Sequence, residues 1–440
     1  MRSFRRTVVE TQTMDFHRAV GTLVVLAALV ASPASAAAES PPPAPALGRP
    51  RMDVEAATAA YLNQLSPEAR ARSDAYFEGG YGLRLLDTLY TVGVMLFLLQ
   101  TGLSRRLREW TERRTARRLL QTSLYWAGYL AATTVLSFPL ALYEGFFREH
   151  AYGLSNLSFG AWLGDEAKGF LLSLLLGAAV VTLLYAIVRR LPGSWWAWGA
   201  IASTGFAAFF FLIFPVFVAP LFNTYTRLTD ERVRAPILRM AAANGLAAND
   251  VWVSDASRQS KRISANVSGL LGTERITLND NLLHRSTPAQ VQAVMGHELG
   301  HYVLNHGYKL LAFLALIALG LFAALHALLG WGIGRWGARW GIRDEADPAG
   351  LPLAVLVLTV LSLLLTPVLN TLVRVQEQEA DVFGLNAARE PDAFAEVALQ
   401  LSEYRKLSPG PVEEFIFFDH PSGRTRILTA MRWKAAQPPP

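Results

Sequence analysis

Five consecutive residues, His297-Glu298-Leu299-Gly300-His301, carry the types and spacing that could do chemistry. Histidines four positions apart share one face of a helix. Their imidazoles can close on one zinc ion, and the intervening glutamate can reach a water on that ion. The preceding stretch reads as the start of such a helix. Thr287 is a capping residue, Pro288 suits the first helical position, and Gln290 can complete a capping box.

A catalytic zinc takes three protein ligands and keeps one position open. One helix face cannot surround an ion, so the third ligand must come from another element. Glu377, in the helical stretch Leu369–Ala388, is the choice. Asp381 follows one turn along the same face. It can accept a hydrogen bond from the second nitrogen of a ligand histidine, which orients the ring. Glu379 points to a different face and is expected in solvent. His306 would lie about 140° round a continuous helix from His301 and is not expected to be a ligand. Glu298 is the expected general base: it takes a proton from water and passes it to the leaving amine. The bland alternative makes His297 and His301 ordinary polar helix positions. The downstream Glu377-x-x-x-Asp381 helix argues against it.

These elements must be positioned by a chain that is 440 residues long, 52% hydrophobic and 17% charged. About 20 apolar residues span a bilayer as a helix. Stretches of that kind run over Leu83–Leu103, Leu124–Tyr143, Phe170–Val188, Trp195–Phe217, Leu310–Leu329 and Leu351–Val373. Cysteine is absent, which excludes disulfides and thiolate metal sites. The net charge of +6 would suit nucleic acid, but the basic residues cluster beside apolar spans. Membrane topology is the better reading, and no nucleic-acid partner is expected.

Residues 1–36 read as a signal peptide or a first transmembrane span: Arg2, Arg5 and Arg6 precede the apolar Ala19–Val30, and Ala34-Ser35-Ala36 fits a cleavage site. Residues 37–80 read as a linker and periplasmic segment, Pro-rich over Pro41–Pro50. Residues 81–219 carry four spans. Residues 220–307 form a small α+β domain ending in the motif helix. Residues 308–373 carry two spans, and residues 374–440 complete the soluble domain. Within it, Asp230–Asn244 reads as helix and Val251–Val253 as strand. Arg262–Leu271 and Glu274–Leu278 read as strands turned at Gly272-Thr273, Asp392–Leu407 as helix, and Phe415–Arg426 as loop. The fold class is mainly α: a polytopic membrane helix bundle of six or seven spans, with a small α+β zinc-metallopeptidase domain split around the last two. Seven arginines in Ser104–Arg118 place that loop inside and the zinc domain outside.

From about Tyr81 to Arg432 the chain resembles the type I CAAX prenyl proteases, integral-membrane zinc metallopeptidases of the gluzincin type. The matching pieces are Val218-Ala219-Pro220-Leu221-Phe222, Ser264-Ala265-Asn266-Val267, His297–His301, Asn370-x-x-x-Arg374-x-x-Glu377-x-x-Ala380-Asp381, and His420-Pro421 with Arg426. The resemblance implies one Zn2+ on His297, His301 and Glu377, with Glu298 as base. It implies that Asn266, on a sheet edge, helps hold the substrate backbone, and that His420 contacts substrate or the developing oxyanion. Arg374 and Arg426 stay open between supporting the ligands and ordinary ion pairing. The resemblance also implies spans enclosing a hydrated chamber.

The implied activity is a membrane-embedded zinc endopeptidase acting on a peptide or a membrane-associated protein. Eukaryotic members carry seven spans and face the cytosol. The Arg-rich, signal-like start here points to a bacterial inner membrane with the zinc domain in the periplasm, and to envelope quality control as an alternative to CAAX processing. A non-catalytic scaffold or transporter is the rival class; it needs no open zinc beside a base. A protease cutting within the membrane would need its motif inside a span, and Gln290, Gln292 and Asn305 flank this one.

Overall fold

The computed structural model describes residues 52–268 and 275–437. The expected signal or first span at 1–36, the Pro-rich stretch 41–50, the turn at Gly272-Thr273 and the terminal prolines lie outside the described residues.

The first described helix is α1 (Val54–Leu62), capped by Asp53, whose side chain accepts from Ala56 N. Helix α2 (Pro67–Gln100) follows directly, capped by Ser66. The reading of 37–80 as linker is therefore corrected from Val54 onward. Val54, Ala57 and Tyr61 pack on a buried cluster of Phe394, Ile427 and Met431. The Tyr61 hydroxyl donates to Asp392 Oδ1 at 2.7 Å. These apolar and hydroxyl partners of α1 lie more than 300 positions away, so no local pattern announces its burial.

Next come α3 (Leu103–Arg114), α4 (Arg118–Leu142), α5 (Phe159–Arg190) and α6 (Trp195–Ile213). Among the described residues six helical stretches are long and apolar enough to cross a membrane: Pro67–Gln100, Arg118–Ala151, Phe159–Arg190, Trp195–Leu221, His306–Trp340 and Pro348–Ala388. Large apolar side chains such as Val135, Leu175, Ile201, Phe211 and Leu364 point outward from them. A chain that exposes such a surface needs lipid around it. The protein is an integral, multi-pass membrane protein.

Between the fourth and fifth spans the chain forms a four-stranded sheet, β1 (Tyr225–Arg227), β2 (Val251–Ser254), β3 (Ala265–Ser268) and β4 (Arg275–Asn279), in the order β1-β2-β4-β3. Strands β2 and β4 are parallel, and β1 and β3 pair antiparallel. Strand β3 starts at Ala265 rather than Arg262, because Arg262 turns away to Glu149 and Tyr76. Helix α7 (Glu231–Ala243) and the short α8 (Asp280–Arg285) flank the sheet. Ile237, Val251, Ile276, Leu278, Leu282, Met295 and Leu299 form its core.

Helix α9 (Pro288–Val303) carries the histidine motif and begins with the expected capping box: Gln290 N donates to Thr287 Oγ1, and Thr287 N donates to Gln290 Oε1. Asn305, at φ 57°, then turns the chain into α10 (His306–Trp340). Helix α11 (Leu351–Ala388) is both the last span and the carrier of Glu377. At 1.5 Å per residue it is about 57 Å long, against a hydrocarbon core of about 30 Å. The helix is thus long enough both to span a bilayer and to carry Glu377.

The expected helix Asp392–Leu407 is shorter: α12 spans Pro391–Gln400 and a 3-10 turn covers Leu401–Glu403. The expected loop Phe415–Arg426 is mostly helical, with α13 (Pro411–Phe417) before it and α14 (Gly423–Ala436) after it. Ser422 caps α14, so only residues 418–422 form the loop. At the opposite end of the spans the arginine-rich α3 is tied to the loop after α10: Arg108 donates to Asp347 at 2.5 Å and to Gly341 O at 3.0 Å.

Candidate metal centre

Helix α9 meets α11 backbone to backbone. A Cβ on Gly384 would sit 2.7 Å from His297 N, one on Gly296 2.9 Å from Gly384 O, and one on Gly300 3.1 Å from Ala380 Cα. Gly296 and Gly300 lie four apart, hence on one face. Small residues along this seam let the two helices approach until their functional side chains touch.

The donors then converge. His297 Nε2 and His301 Nε2 lie 3.1 Å apart. Glu377 Oε2 is 3.3 Å from His297 Nε2, and Oε1 is 3.3 Å from His301 Nε2. All three residues offer ligand atoms within 4.8 Å of one another. Four donors at about 2.0–2.1 Å around one tetrahedral ion lie about 3.3 Å apart, and each imidazole here faces one Glu377 oxygen at that spacing. Glu377 Oε2 is buried and has no hydrogen-bond donor of sound geometry, although two ring nitrogens lie within 3.3 Å. A buried, undirected carboxylate lone pair beside two facing imidazoles is what a cation would satisfy. The donor set fits zinc.

The ring of His297 is fixed from behind. Its Nδ1 lies 2.8 Å from Asp381 Oδ1. Asp381 is buried and is itself gripped through both oxygens by Arg426, whose Nε is 2.9 Å from Oδ2. Arg426 thus supports the His297 ring through Asp381. Burial alone would disfavour charge on His297, but Asp381 and Glu377 outweigh it and push its pKa up to about 9. The carboxylates that favour a proton there favour a cation.

Glu298 lines the same cavity, of about 280 Å³, with His297, His301, Glu377 and His420. Burial raises its carboxyl above the usual range, while the two imidazoles pull the other way. His420 enters from the 418–422 loop, with Nε2 3.2 Å from Glu377 Oε2 and Nδ1 2.8 Å from Asp419 Oδ1. Helix α11 also sets this loop: Arg374 donates to the carbonyls of Glu414 and Phe418, and Asn370 to that of Ile416. Arg374 is therefore a loop anchor rather than a support for a ligand ring.

Asn266 sits apart from these residues. It lies on the edge strand β3, exposed, and lines a second cavity of about 480 Å³ with Phe210, Phe214 and Arg275. Its neighbour Ala265 lines the metal cavity instead, because successive strand residues face opposite ways. The Ser264 carbonyl accepts from Asn279 N, so the backbone groups of Ala265 and Val267 point outward from the sheet. Glu379, expected in solvent, is half exposed but hydrogen-bonded to His306 and Lys309. Arg405 also lines the metal cavity, and its guanidinium has no hydrogen-bond or ion-pair partner among the described residues. Nothing in its spacing marks it in the sequence.

Residues 53–224 match the model of the CAAX prenyl protease N-terminal region with five membrane helices, and residues 227–434 match peptidase family M48. The chain is 28% identical over 350 residues to the uncharacterized metalloprotease YhfN of Bacillus subtilis, covering 78% of this chain and 82% of the relative. It is 28% identical to a CAAX prenyl protease 1 homolog of Oryza sativa subsp. japonica, covering 69% of this chain and 71% of the relative. The crystal structure of S. mikatae Ste24p superposes with a TM-score of 0.69 at 19% identity, covering 87% of this chain and 100% of that one. The two family matches tile the chain in order, one over the first four described spans and one over the last two spans with the domain that holds the histidine motif: the chain belongs to the M48 metallopeptidases of the CAAX prenyl protease type.

Proposed function

We propose that this metallopeptidase holds one zinc on His297, His301 and Glu377 and cuts an extended segment of a membrane-associated protein laid against β3. The observation that carries this reading is the convergence of two imidazole nitrogens 3.1 Å apart, each 3.3 Å from an oxygen of Glu377, beside Glu298.

Zinc, when bound, supplies Lewis acidity that makes water acidic near neutral pH and polarises a carbonyl. The residues of the chain do the rest. The outward backbone groups of Ala265 and Val267 can pair with a substrate strand and fix the scissile bond over the cavity. Glu298, raised by burial, takes the proton of the attacking water and delivers it to the leaving amine. His420 donates to the carbonyl oxygen as it gains charge. Asp381 and Arg426 keep His297 in the tautomer that presents Nε2.

The basic loop around α3 lies at the opposite end of the spans from this site. That supports the arginine end inside and the zinc domain on the periplasmic face of a bacterial inner membrane, where envelope proteins are the available substrates. The name borne by the rice relative favours a second reading, removal of a C-terminal peptide from a prenylated protein.

The test uses the purified full-length protein in lipid nanodiscs. Glu298→Gln should keep stoichiometric zinc and lose at least about 10²-fold in cleavage of internally quenched peptides. Retained turnover in that variant refutes Glu298 as base; wild-type protein without zinc refutes the metal assignment. Equal rates on farnesylated and plain versions of one peptide set aside the prenyl reading.

A further inference from the structure

The two ligand histidines are not supported in the same way. His297 rests on Asp381, held by Arg426. Among the described residues no carboxylate lies against the far nitrogen of the His301 ring. Its Nδ1 instead lies 2.9 Å from His306 Nδ1. His306 Nε2 lies 3.0 Å from Glu379 Oε2, and the same oxygen accepts from Lys309 Nζ at 3.0 Å.

The geometry points to His306 as a positioning residue for the metal ligand His301, through a chain that runs His301 to His306 to Glu379. This rests on the proposed ligand set. The tautomers follow from it. A His301 that offers Nε2 to a cation carries its proton on Nδ1. That proton can go only to an unprotonated His306 Nδ1. His306 then carries its own proton on Nε2 and donates it to the Glu379 carboxylate, whose charge Lys309 balances. Every donor along the chain meets one acceptor, and a carboxylate terminates it, as at His297. The two supports have the same logic, ligand imidazole to carboxylate to cation, with one extra imidazole inserted at His301.

The backbone is built for this insertion. Helix α9 ends at Val303, and Asn305 takes a left-handed conformation at φ 57°. That turn lets α10 start at His306 and folds its ring back against His301, with ring centroids 5.0 Å apart. On a continuous helix the two rings would diverge by about 140°. A non-glycine residue takes up that region only under backbone strain. His306 is 3% exposed, so its ring is not placed there by solvent. Glu379 and Asp381 come from the same helix as the third ligand, so one rod supplies a ligand and both terminal carboxylates.

Partners of this kind are worth about 10–100-fold in metal affinity. The test measures zinc affinity of the full-length protein by competition with a chromophoric chelator, together with the melting temperature of the zinc-free form and the visible absorption of the cobalt-substituted form. His306→Phe keeps the ring volume and removes both nitrogens. It should weaken zinc binding about 10–100-fold and shift the cobalt bands, with an unchanged zinc-free melting temperature. His306→Gln, which keeps an acceptor for His301, should recover part of the affinity. Glu379→Gln, at a half-exposed position, should weaken zinc binding several-fold and serves if His306→Phe does not fold. Wild-type zinc affinity in His306→Phe or in Glu379→Gln overturns the inference. A wild-type protein that binds no zinc overturns the ligand set instead, so the two failures are distinguishable.

Discussion

Replacing Gly384 by alanine adds one carbon where α11 touches α9. That carbon would lie 2.7 Å from His297 N, 3.0 Å from His297 Cα and 3.1 Å from the Gly296 carbonyl carbon. Carbon contacts are most favourable at about 3.5–4.0 Å, so the helices must part by about 0.8 Å. All three obstructing atoms are backbone, so no rotamer change relieves the clash. Overpacking of this kind costs about 1–3 kcal/mol. The functional cost is larger. The imidazoles ride on α9 and Glu377 on α11, so a 0.8 Å separation stretches the 3.3 Å edges toward about 4 Å, beyond the donor spacing of a tetrahedral ion. Misplacement by about 1 Å costs about 10²-fold in rate. Zinc affinity and kcat/KM should both fall by about 10²-fold, read by chelator competition and by cleavage of a quenched peptide. Gly334→Ala is the control, since an added carbon there meets nothing within 4 Å. A Gly384→Ala protein with zinc affinity and turnover within about twofold of wild type would refute the claim that the glycine seam sets the ligand geometry.

Three further outcomes are expected. His420→Ala should lower kcat by about 10²–10³-fold while zinc content stays stoichiometric, because its ring acts on the carbonyl oxygen and not on the ion. Arg426→Met should destabilise the soluble domain by about 3–5 kcal/mol, seen as a lower melting temperature, because buried Asp381 loses the guanidinium that balances its charge and keeps only the His297 ring. Adding Asp381→Asn should restore part of that loss. Val267→Pro removes one outward N–H from β3 while leaving the ladder to β4 intact, and should raise KM about 3–10-fold with little change in kcat.

The local chemistry was written in the sequence because it is periodic. Residues four apart on one helix announced His297 and His301, and the same spacing announced Glu377 with Asp381. Hydropathy over windows of about 20 residues announced the spans, since lipid demands unbroken apolar runs. Thr287, Pro288 and Gln290 announced the start of α9, because capping is a matter of three neighbouring residues. Where the pattern is weak or interrupted, the reading went astray. Helix α1 packs on side chains such as Phe394 and Ile427 near the far end of the chain. Phe415–Arg426 looked like loop because two short helices with a Pro-Ser break share it. His306 is outside the donor group, as expected, but its contact with His301 was hidden because the helix stops at Val303.

What tertiary structure alone decided is the meeting of α9 and α11. No spacing rule links Gly296 and Gly300 to Gly384, yet their missing side chains set how closely the imidazoles approach the carboxylate. The same holds for Arg426 behind Asp381, for Arg374 beneath the His420 loop, and for the split that sends Ala265 to one cavity and Asn266 to another. Periodicity records which residues share a face. Which faces then touch depends on packing among segments 40 or more positions apart, and that is settled only when the chain closes on itself.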